Sequence, residues 1–214
     1  MKPFPLVLSS PSGGGKTTIA RALLAREDVG YSVSATTRAP RPGEADGKDY
    51  FFLTRKEFQR RVAAGEFVEH AEYSGERYGT LKSQLDAVLA SGRHTVLDIE
   101  IQGARAVKKL HPEAVLVFIV PPSAEELLAR LGGAEGTRAK SLDRRLSRAV
   151  DELAVALEYD YIVVNEDKTE AVAEVAAILD AESRRPKRNP ELVQQLADLG
   201  RDLAAMAAKL KTGG

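Results

Sequence analysis

One short stretch limits the possible folds of this chain more than any other. The residues SSPSGGGKTT, positions 9–18, follow an apolar run that predicts a buried strand and precede a helical pattern over 17–26. The stretch matches the pattern Gly-x4-Gly-Lys-Ser/Thr at every position but the first, where Ser10 replaces glycine. A strand, a glycine-rich loop and a helix in this order predict an α/β fold with a phosphate-binding loop.

The chemistry expected of this loop follows from its residue types. Three consecutive glycines allow unusual dihedrals that turn backbone N–H groups toward a phosphate, and the helix N-terminus adds a positive dipole end. Lys16 provides a point charge for the β- and γ-phosphates, and the Thr17 hydroxyl is a candidate Mg²⁺ ligand. A plain glycine-rich connection is the alternative. The predicted nucleotide-binding residues here are Ser12, Gly13, Gly14, Gly15, Lys16, Thr17 and Thr18.

The remainder of the chain alternates between strand and helix patterns. Strands are predicted over 31–35, 50–53, 67–73, 94–99, 114–120 and 159–164, and helices over 56–63, 84–90, 123–131, 141–157 and 170–183. Apolar, β-branched strands between helices predict a parallel sheet covered on both faces, which makes three layers. Residues 34–85 break the alternation because their strands lie close together, so we expect an inserted, largely antiparallel subdomain there.

Composition narrows the function classes. A chain of 214 residues with zero formal net charge offers no global attraction to nucleic acid or to a membrane surface. It contains no cysteine, which excludes disulfide and thiol chemistry. The N-terminal apolar run is too short for a signal peptide, and no stretch is long enough to span a bilayer. We therefore expect a cytoplasmic protein with small-molecule substrates.

A second segment, SATTRAPRPGEADGKDYFF, suggests a second phosphate site. Arg38 and Arg41 lie three residues apart beside prolines that restrict the loop. Two such guanidinium groups form a fork for a dianionic phosphate, and Tyr50 and Tyr78 can add phenolic donors. A solvated charged loop is the alternative.

Taken together, five segments resemble the guanylate kinase family over about residues 4–185. They are SSPSGGGKTT, SVSATTRAPRPGEADGKDYFF, GEFVEHAEYSGERYGT, VLDIEIQGA and YDYIVVNED. The resemblance implies formation of GDP from GMP and ATP with Mg²⁺. It also implies a P-loop kinase core over 1–33, 86–121 and 159–185, a GMP-binding insertion over 34–85, a helical lid over 122–158 and a C-terminal helical extension over 186–214.

The resemblance also assigns residues to the GMP site. Guanine presents an acceptor at O6 and donors at N1 and N2, so its recognition requires a donor and a carboxylate. Ser34 is expected to donate to O6 and Glu69 to accept from N1 and N2. Glu100 occupies a position near the base that is often aspartate in the family. The full set expected at GMP is Ser34, Arg38, Arg41, Tyr50, Glu69, Tyr78, Thr80 and Glu100.

On the ATP side, the resemblance implies a metal position, an adenine contact and lid arginines. Asp98 ends a strand where an acid orients the hydration shell of Mg²⁺, and Asn165 matches the adenine-side asparagine. Arg130 and Arg145 match lid arginines that neutralise charge during transfer. The lid departs from the family at position 134, where alanine replaces a usual arginine. Arg138 is close enough to compensate, and Arg148 is either a further lid charge or a solvated helix residue.

Two other functions share some of these features. A kinase with the same core acting on another nucleotide or on a phosphorylated sugar would keep the phosphate loop but would not need Ser34 with Glu69. A guanylate-kinase-like peptide-binding module would keep the fold while losing catalytic residues, and Ala134 is consistent with such a loss. The intact Gly15-Lys16-Thr17 sequence favours an enzyme.

The C-terminal segment has its own pattern. Apolar residues recur at alternating four- and three-residue spacing, at Leu192, Leu196, Leu199, Leu203, Met206 and Leu210. This spacing is typical of a coiled-coil seam, so a homo-oligomer formed through this helix is one interpretation. A helix packed on its own domain, or fraying in solvent, is the other.

Overall fold

The computed structural model describes residues 1–73, 75–132 and 139–212. The strands are β1 Pro5–Ser9, β2 Val29–Tyr31, β3 Ser34–Thr36, β4 Phe51–Phe52, β5 Phe67–Tyr73, β6 Glu76–Leu81, β7 His94–Asp98, β8 Val115–Val120 and β9 Tyr161–Val164. The α-helices are α1 Lys16–Leu23, α2 Arg55–Ala63, α3 Lys82–Ala90, α4 Ile101–Leu110, α5 Ala124–Gly132, α6 Ala139–Ala154, α7 Lys168–Ser183 and α8 Pro190–Thr212.

The described strands form two separate sheets. The larger sheet has five strands in the order β2-β7-β1-β8-β9, and all of its pairings are parallel. The smaller sheet has the order β4-β3-β6-β5; β3 pairs with β4 in parallel and with β6 antiparallel. The predicted α/β class is confirmed, with a parallel core sheet and an inserted mixed sheet.

Alternating side chains make the larger sheet the middle of three layers. Leu6 and Leu8 of β1 belong to one buried cluster together with Ile19 of α1. Val7 points to the opposite face and belongs to a second cluster that includes Val107 of α4. Because both faces are covered there, the central strands β1 and β8 are predominantly apolar, as the sequence pattern predicted.

The structure departs from the predicted elements in three places. The sequence patterns predict no strand over 76–81, where β6 lies, and Gly79 within it weakens the strand pattern. The segment 31–35, predicted as one strand, is divided between β2 and β3, which belong to different sheets. The chain passes there from the core to the inserted sheet. The sequence patterns predict no helix over 101–110, where α4 lies; its interior Gly103 lowers helix propensity. Residues 133–138, which fall within the expected lid, lie outside the described residues.

A buried histidine links β7 to the N-terminal segment and to the end of α7, and it makes stability depend on pH. His94 is fully buried; its Nδ1 accepts from the Phe4 N–H at 3.3 Å and its Nε2 lies 3.2 Å from Ser183 Oγ. The Ser183 hydroxyl donates to the Leu179 carbonyl, so the neutral ring satisfies the whole chain of hydrogen bonds. Burial lowers the pKa of His94 below its usual 6.5, although nearby Asp28 acts in the opposite direction.

We therefore expect the free energy of unfolding to fall as pH drops. The unfolded chain binds a proton on this imidazole near pH 6.5, whereas the folded chain stays neutral to a lower pH. The stabilisation is complete above pH 6.5 and is lost toward the folded pKa. Thermal unfolding at pH 7.5 and 5.5 should show a larger decrease in Tm for the wild type than for His94→Gln. Equal decreases would contradict this.

The C-terminal helix α8 leaves its apolar residues uncovered by the described part of the chain. The seam residues Leu192, Leu196, Leu199, Leu203, Met206 and Leu210 are 45% to 82% exposed. The seam is therefore not packed on the helix's own domain. Among the described helices, none combines the length and the apolar character that crossing a membrane requires.

Candidate active site

The phosphate loop connects β1 to α1 at the carboxyl edge of the larger sheet. Gly13 and Gly15 adopt left-handed φ values of 86° and 96°, as expected for glycines in such a loop. The expectation that Gly14 shares this feature is wrong, because its φ is not in that region. Gly14 is required for a steric reason: a Cβ there would lie 2.7 Å from the Cβ of Ser10.

Ser10, which replaces the usual first glycine, is accommodated by this arrangement. Its side chain is buried, and its Oγ donates to the Pro11 carbonyl at 2.9 Å. The Gly14 N–H donates to the same carbonyl at 2.9 Å. The loop therefore closes around a serine because Gly14 has no side chain at the point of contact.

This packing predicts a compensating pair of substitutions. Gly14→Ala places a methyl group against Ser10 and should destabilise the protein by about 1–3 kcal/mol, as overpacking does. In the double variant Ser10→Gly/Gly14→Ala the two nearest atoms are gone and only the Pro11 carbonyl remains close, at 3.1 Å. Thermal unfolding should show most of the loss recovered. A double variant no more stable than Gly14→Ala would refute the steric explanation.

Three predicted residues meet at the start of α1 and the end of β7. Thr17 Oγ1 donates to Asp98 Oδ2 at 2.5 Å, and Lys16 Nζ lies 3.7 Å from Asp98 Oδ1. That Oδ1 atom is buried and has no hydrogen-bond partner among the described residues. Thr18, also predicted here, lies exposed in the first turn of α1.

The donors at this position suit one kind of metal ion. Within the described part of the chain there is no cluster of three or more His, Cys, Asp or Glu side chains. One hydroxyl and one carboxylate are hard oxygen ligands, which fit Mg²⁺ because that ion keeps several waters and is completed by substrate phosphates. The unpartnered oxygen of Asp98 is available to such an ion or to its waters.

Asn165, predicted on the adenine side, is buried against the phosphate loop. Its Nδ2 donates to the Gly14 carbonyl at 2.9 Å, and a Cβ on Gly15 would overlap the same nitrogen. The main-chain carbonyl of Asn165 accepts a hydrogen bond from the Arg130 guanidinium at 3.0 Å. The structure therefore gives this amide a contact with the loop backbone that the sequence did not predict.

Of the two predicted lid arginines, Arg145 contacts the phosphate loop. Arg145 of α6 has one guanidinium nitrogen 3.4 Å from Ser12 Oγ, while the other donates to the Leu131 carbonyl at 3.2 Å. Arg130 of α5 pairs with Glu126 one turn earlier and donates to the main-chain carbonyl of Asn165, which itself contacts the loop. Ala134 and Arg138 lie outside the described residues.

A cavity of about 200 Å³ lies between the inserted sheet and the carboxyl edge of the core. Its lining includes Ser34, Tyr50, Glu69, Tyr78, Asp98 and Glu100. Five of these six residues were predicted at GMP, and Asp98 was predicted at the metal. The structure therefore brings together residues that are up to 66 positions apart in the sequence, from Ser34 to Glu100.

Glu69 is oriented within this cavity by its neighbour on β6. A register shift between Phe67 and Glu69 sets Glu69 opposite Thr80. Its Oε1 accepts from the Thr80 N–H at 3.0 Å and from the Thr80 hydroxyl at 2.7 Å. Burial raises the pKa of Glu69, against the opposing effect of these donors. Thr80 is fully buried and holds the Glu69 carboxylate in position. Thr80 was predicted from the sequence only as a neighbour of the base, so this positioning role is new.

A helical glycine explains how the Glu69 carboxylate fits. A Cβ on Gly103 of α4 would lie 2.9 Å from Glu69 Oε2. A side chain at this position would therefore push the Glu69 carboxylate out of its observed place. The glycine that weakens the helical pattern in the sequence leaves room for the Glu69 side chain.

The arginine-rich loop contains an acid that the sequence interpretation did not single out. Arg38 forms two hydrogen bonds with Glu44, at 2.8 and 3.0 Å, and its guanidinium lies 5.5 Å from the centre of the Tyr50 ring. The Arg41 backbone N–H also donates to Glu44, at 2.7 Å, and the Arg41 side chain is exposed. Arg38 and this N–H hold the pKa of Glu44 below its usual value. Glu44 follows Arg41 by three residues in the same loop, and this short separation is the one sequence feature that could have indicated the pairing.

On the other side of the cavity, Arg148 of α6 contacts Glu100 and donates to Glu152 at 2.8 Å. It is therefore not simply a solvated helix charge. Glu152 is buried and was not predicted as a site residue. An acid four residues after an arginine on a helix is too common a pattern to indicate a site.

Comparisons with known proteins agree with this geometry. The family model described as "Guanylate kinase" matches residues 2–182. A guanylate kinase of Symbiobacterium thermophilum is 46% identical over 198 residues, which cover 91% of this chain and 93% of that relative. One of Paramagnetospirillum magneticum is 48% identical, covering 89% and 92%. The crystal structure of guanylate kinase from Anaplasma phagocytophilum matches with a TM-score of 0.71 at 40% identity, covering 87% and 89%.

Proposed function

The chain belongs to the guanylate kinase family, whose reaction is ATP + GMP → ADP + GDP, and on this basis we propose how its residues perform the transfer. One observation supports the proposal most strongly. Asp98 contacts the phosphate-loop residues Lys16 and Thr17, and it also lines the cavity that contains Glu69. The ATP phosphates and the guanine site therefore share one cleft.

GMP is proposed to bind with its base against the inserted sheet and its phosphate at the arginine loop. Glu69, held by Thr80, accepts from guanine N1 and N2, while Ser34 donates to O6. The phosphate takes the place that Glu44 occupies between Arg38 and Arg41, with Tyr50 and Tyr78 beside it. Their rings lie 6.1 Å apart, next to the Arg38 guanidinium. Glu100 completes the wall of the base site.

The transfer itself requires positioning and positive charge. An oxygen of the GMP phosphate attacks the γ-phosphorus of ATP in line, and the bond from that phosphorus to the β,γ-bridging oxygen breaks, leaving ADP. No protein base is required because a phosphate monoester is already largely ionised at neutral pH. Lys16 neutralises the β- and γ-phosphates, and Arg130 and Arg145 approach from the lid to stabilise the charge that passes between the nucleotides.

A magnesium ion is proposed at Thr17 and Asp98. When bound with ATP, it would neutralise phosphate charge. The Asp98 carboxylate, with one oxygen directed at Lys16 and the other at Thr17, holds the first turn of α1 in place for this purpose. Asn165 supports the same loop from β9 through the Gly14 carbonyl.

The division of the chain into moving parts is also a proposal. The core would comprise 1–33, 86–121 and 159–185, the GMP-binding insertion 34–85, the lid 122–158 and the extension 186–214. The two separate sheets support the first boundary. Closure of the lid and insertion over both nucleotides would exclude water, which otherwise hydrolyses ATP.

Substrate selectivity tests the proposed base recognition. ADP release should be measured with GMP, AMP, CMP and UMP as acceptors at equal concentration. GMP should be favoured by at least about 10³-fold in kcat/KM, because only guanine presents two adjacent donors, N1 and N2, to the Glu69 carboxylate while its O6 accepts from Ser34. Comparable turnover of AMP would mean that Glu69 does not recognise the base and would favour a kinase of another nucleotide.

We also propose that α8 pairs with α8 of a second copy. Its uncovered seam repeats at the spacing of a coiled coil, and the small residues Gly200, Ala204 and Ala207 beside the seam permit close approach. Light scattering of the full chain should give a dimer, and Leu199→Lys/Leu203→Lys should give a monomer. A monomeric wild type at micromolar concentration would reject the proposal.

A further inference from the structure

Helix α6 contacts residues of both proposed substrate sites, the phosphate loop through Arg145 and the base cavity through Arg148. One turn before it, Arg145 lies near Ser12 Oγ of the phosphate loop. Arg148 contacts Glu100, the residue at the N-cap position of α4 that lines the base cavity. The same guanidinium donates from Nε to Glu152, one turn later on α6, at 2.8 Å.

Glu152 anchors Arg148 from the same helix. Its residue is 8% exposed, and its Oε2 has no hydrogen-bond partner within the described residues. Burial raises the pKa of Glu152, and the hydrogen bond from Arg148 acts in the opposite direction. A chain of charged groups therefore runs from Glu152 through Arg148 to Glu100, and Arg145 of the same helix lies near Ser12.

The negative charges around the base cavity explain why a cation such as Arg148 is needed beside Glu100. Glu69 and Glu100 line the same cavity, and the charge of Glu100 acts on Glu69. GMP adds a phosphate dianion nearby. Arg148 places a positive charge on Glu100 and so offsets the repulsion between the two carboxylates. A carboxylate has two oxygens with about four acceptor positions, so Glu100 can bind Arg148 and a guanine donor at the same time.

We propose that Arg148 is a positioning residue that holds Glu100 for guanine and couples GMP binding to the phosphate loop through helix α6, on which Arg145 lies near Ser12. The proposal rests on the placement of GMP given above. When guanine fixes Glu100, the pair with Arg148 fixes this turn of α6, which in turn keeps Arg145 beside Ser12. Occupancy of the base site thereby favours the arrangement that receives ATP phosphates.

The primary test measures coupling between the two nucleotides. Kd for GMP should be determined by calorimetry with and without a non-hydrolysable ATP analogue, for the wild type and Arg148→Gln. In the wild type the analogue should tighten GMP binding by about 5-fold or more. In the variant this ratio should fall to about one, and GMP should bind about 10-fold more weakly without the analogue, as loss of a charged hydrogen bond implies.

Further variants separate positioning from general destabilisation. Arg148→Lys keeps the charge but cannot bridge both carboxylates as a planar guanidinium does, so it should restore GMP affinity more than coupling. Arg148→Gln/Glu100→Gln should bind GMP no more weakly than Glu100→Gln alone. The matched control is Arg105→Gln. Arg105 lies on α4 but forms an exposed ion pair with Glu158, away from the site, so this variant should behave as the wild type.

The outcomes distinguish this inference from the underlying proposal. A wild-type ratio near one, or a ratio that persists in Arg148→Gln, overturns the coupling role of Arg148. Additive losses in the double variant would show that Arg148 does not act through Glu100. Either result leaves base recognition intact if Glu69→Gln still abolishes tight GMP binding. If Glu69→Gln binds GMP normally, the proposed placement of GMP fails instead.

Discussion

Lys16→Ala is expected to lower kcat by about 10³-fold or more, the magnitude lost when a preorganised charge on a transferring phosphoryl group is removed. Lys16 begins α1, and its Nζ is held 3.7 Å from Asp98, so that it points toward the space above the phosphate loop. Kd for GMP should change by less than about 2-fold, because the predicted GMP ligands lie on other elements.

The control for this experiment is Lys82→Ala. Lys82 Nζ donates to the Gly65 carbonyl at 2.7 Å, on the outer side of the insertion, so kcat should stay close to that of the wild type. ADP release reports turnover and calorimetry reports GMP binding. A Lys16→Ala enzyme with kcat within 10-fold of the wild type would remove Lys16 from the proposed mechanism.

Glu69→Gln is expected to lower kcat/KM for GMP by about 10³- to 10⁴-fold, the scale of discrimination by buried polar groups. Glutamine keeps the shape and still offers an oxygen to the two Thr80 donors. Its amide N–H₂ group, however, would face guanine N1 and N2, which are themselves donors and which in the wild type donate hydrogen bonds to the carboxylate oxygen Oε2. Because the side chain is half-buried and the bound base covers its open edge, water does not replace the lost acceptor.

Two controls accompany the Glu69 variant. Glu72→Gln changes an exposed acid of the same strand and should leave kcat/KM unchanged. The KM for ATP in Glu69→Gln should stay within about 2-fold of the wild type, since the phosphate loop is untouched. A loss of GMP activity below 10-fold would show that another group recognises the guanine edge.

The local parts of the site could be predicted from the sequence because their chemistry lies within one short segment. Gly13, Gly15, Lys16 and Thr17 are determined by the strand–loop–helix order. Asp98 could be added because it ends a predicted strand at the position where the resemblance implies an acid near Mg²⁺. The resemblance to guanylate kinases supplied most of the GMP ligands, and the structure places five of them around one cavity.

What could not be predicted depends on contacts between distant segments. The space that Gly103 leaves on α4 is filled by Glu69, which lies 34 positions earlier in the sequence and in the inserted sheet. Glu152 becomes notable only once α6 lies beside Ser12. The amide of Asn165 contacts the phosphate loop only because β9 ends beside it. In each case residue type and spacing are ordinary, and the tertiary structure gives the residue its role.

A crystal structure of the protein with GMP tests the central claim most directly. We predict the phosphorus beside the guanidinium groups of Arg38 and Arg41, the Glu44 carboxylate displaced from Arg38, and the guanine N1 and N2 atoms within hydrogen-bond distance of Glu69. GMP bound elsewhere, or bound with its base at the arginines and its phosphate toward Glu69, would contradict the account.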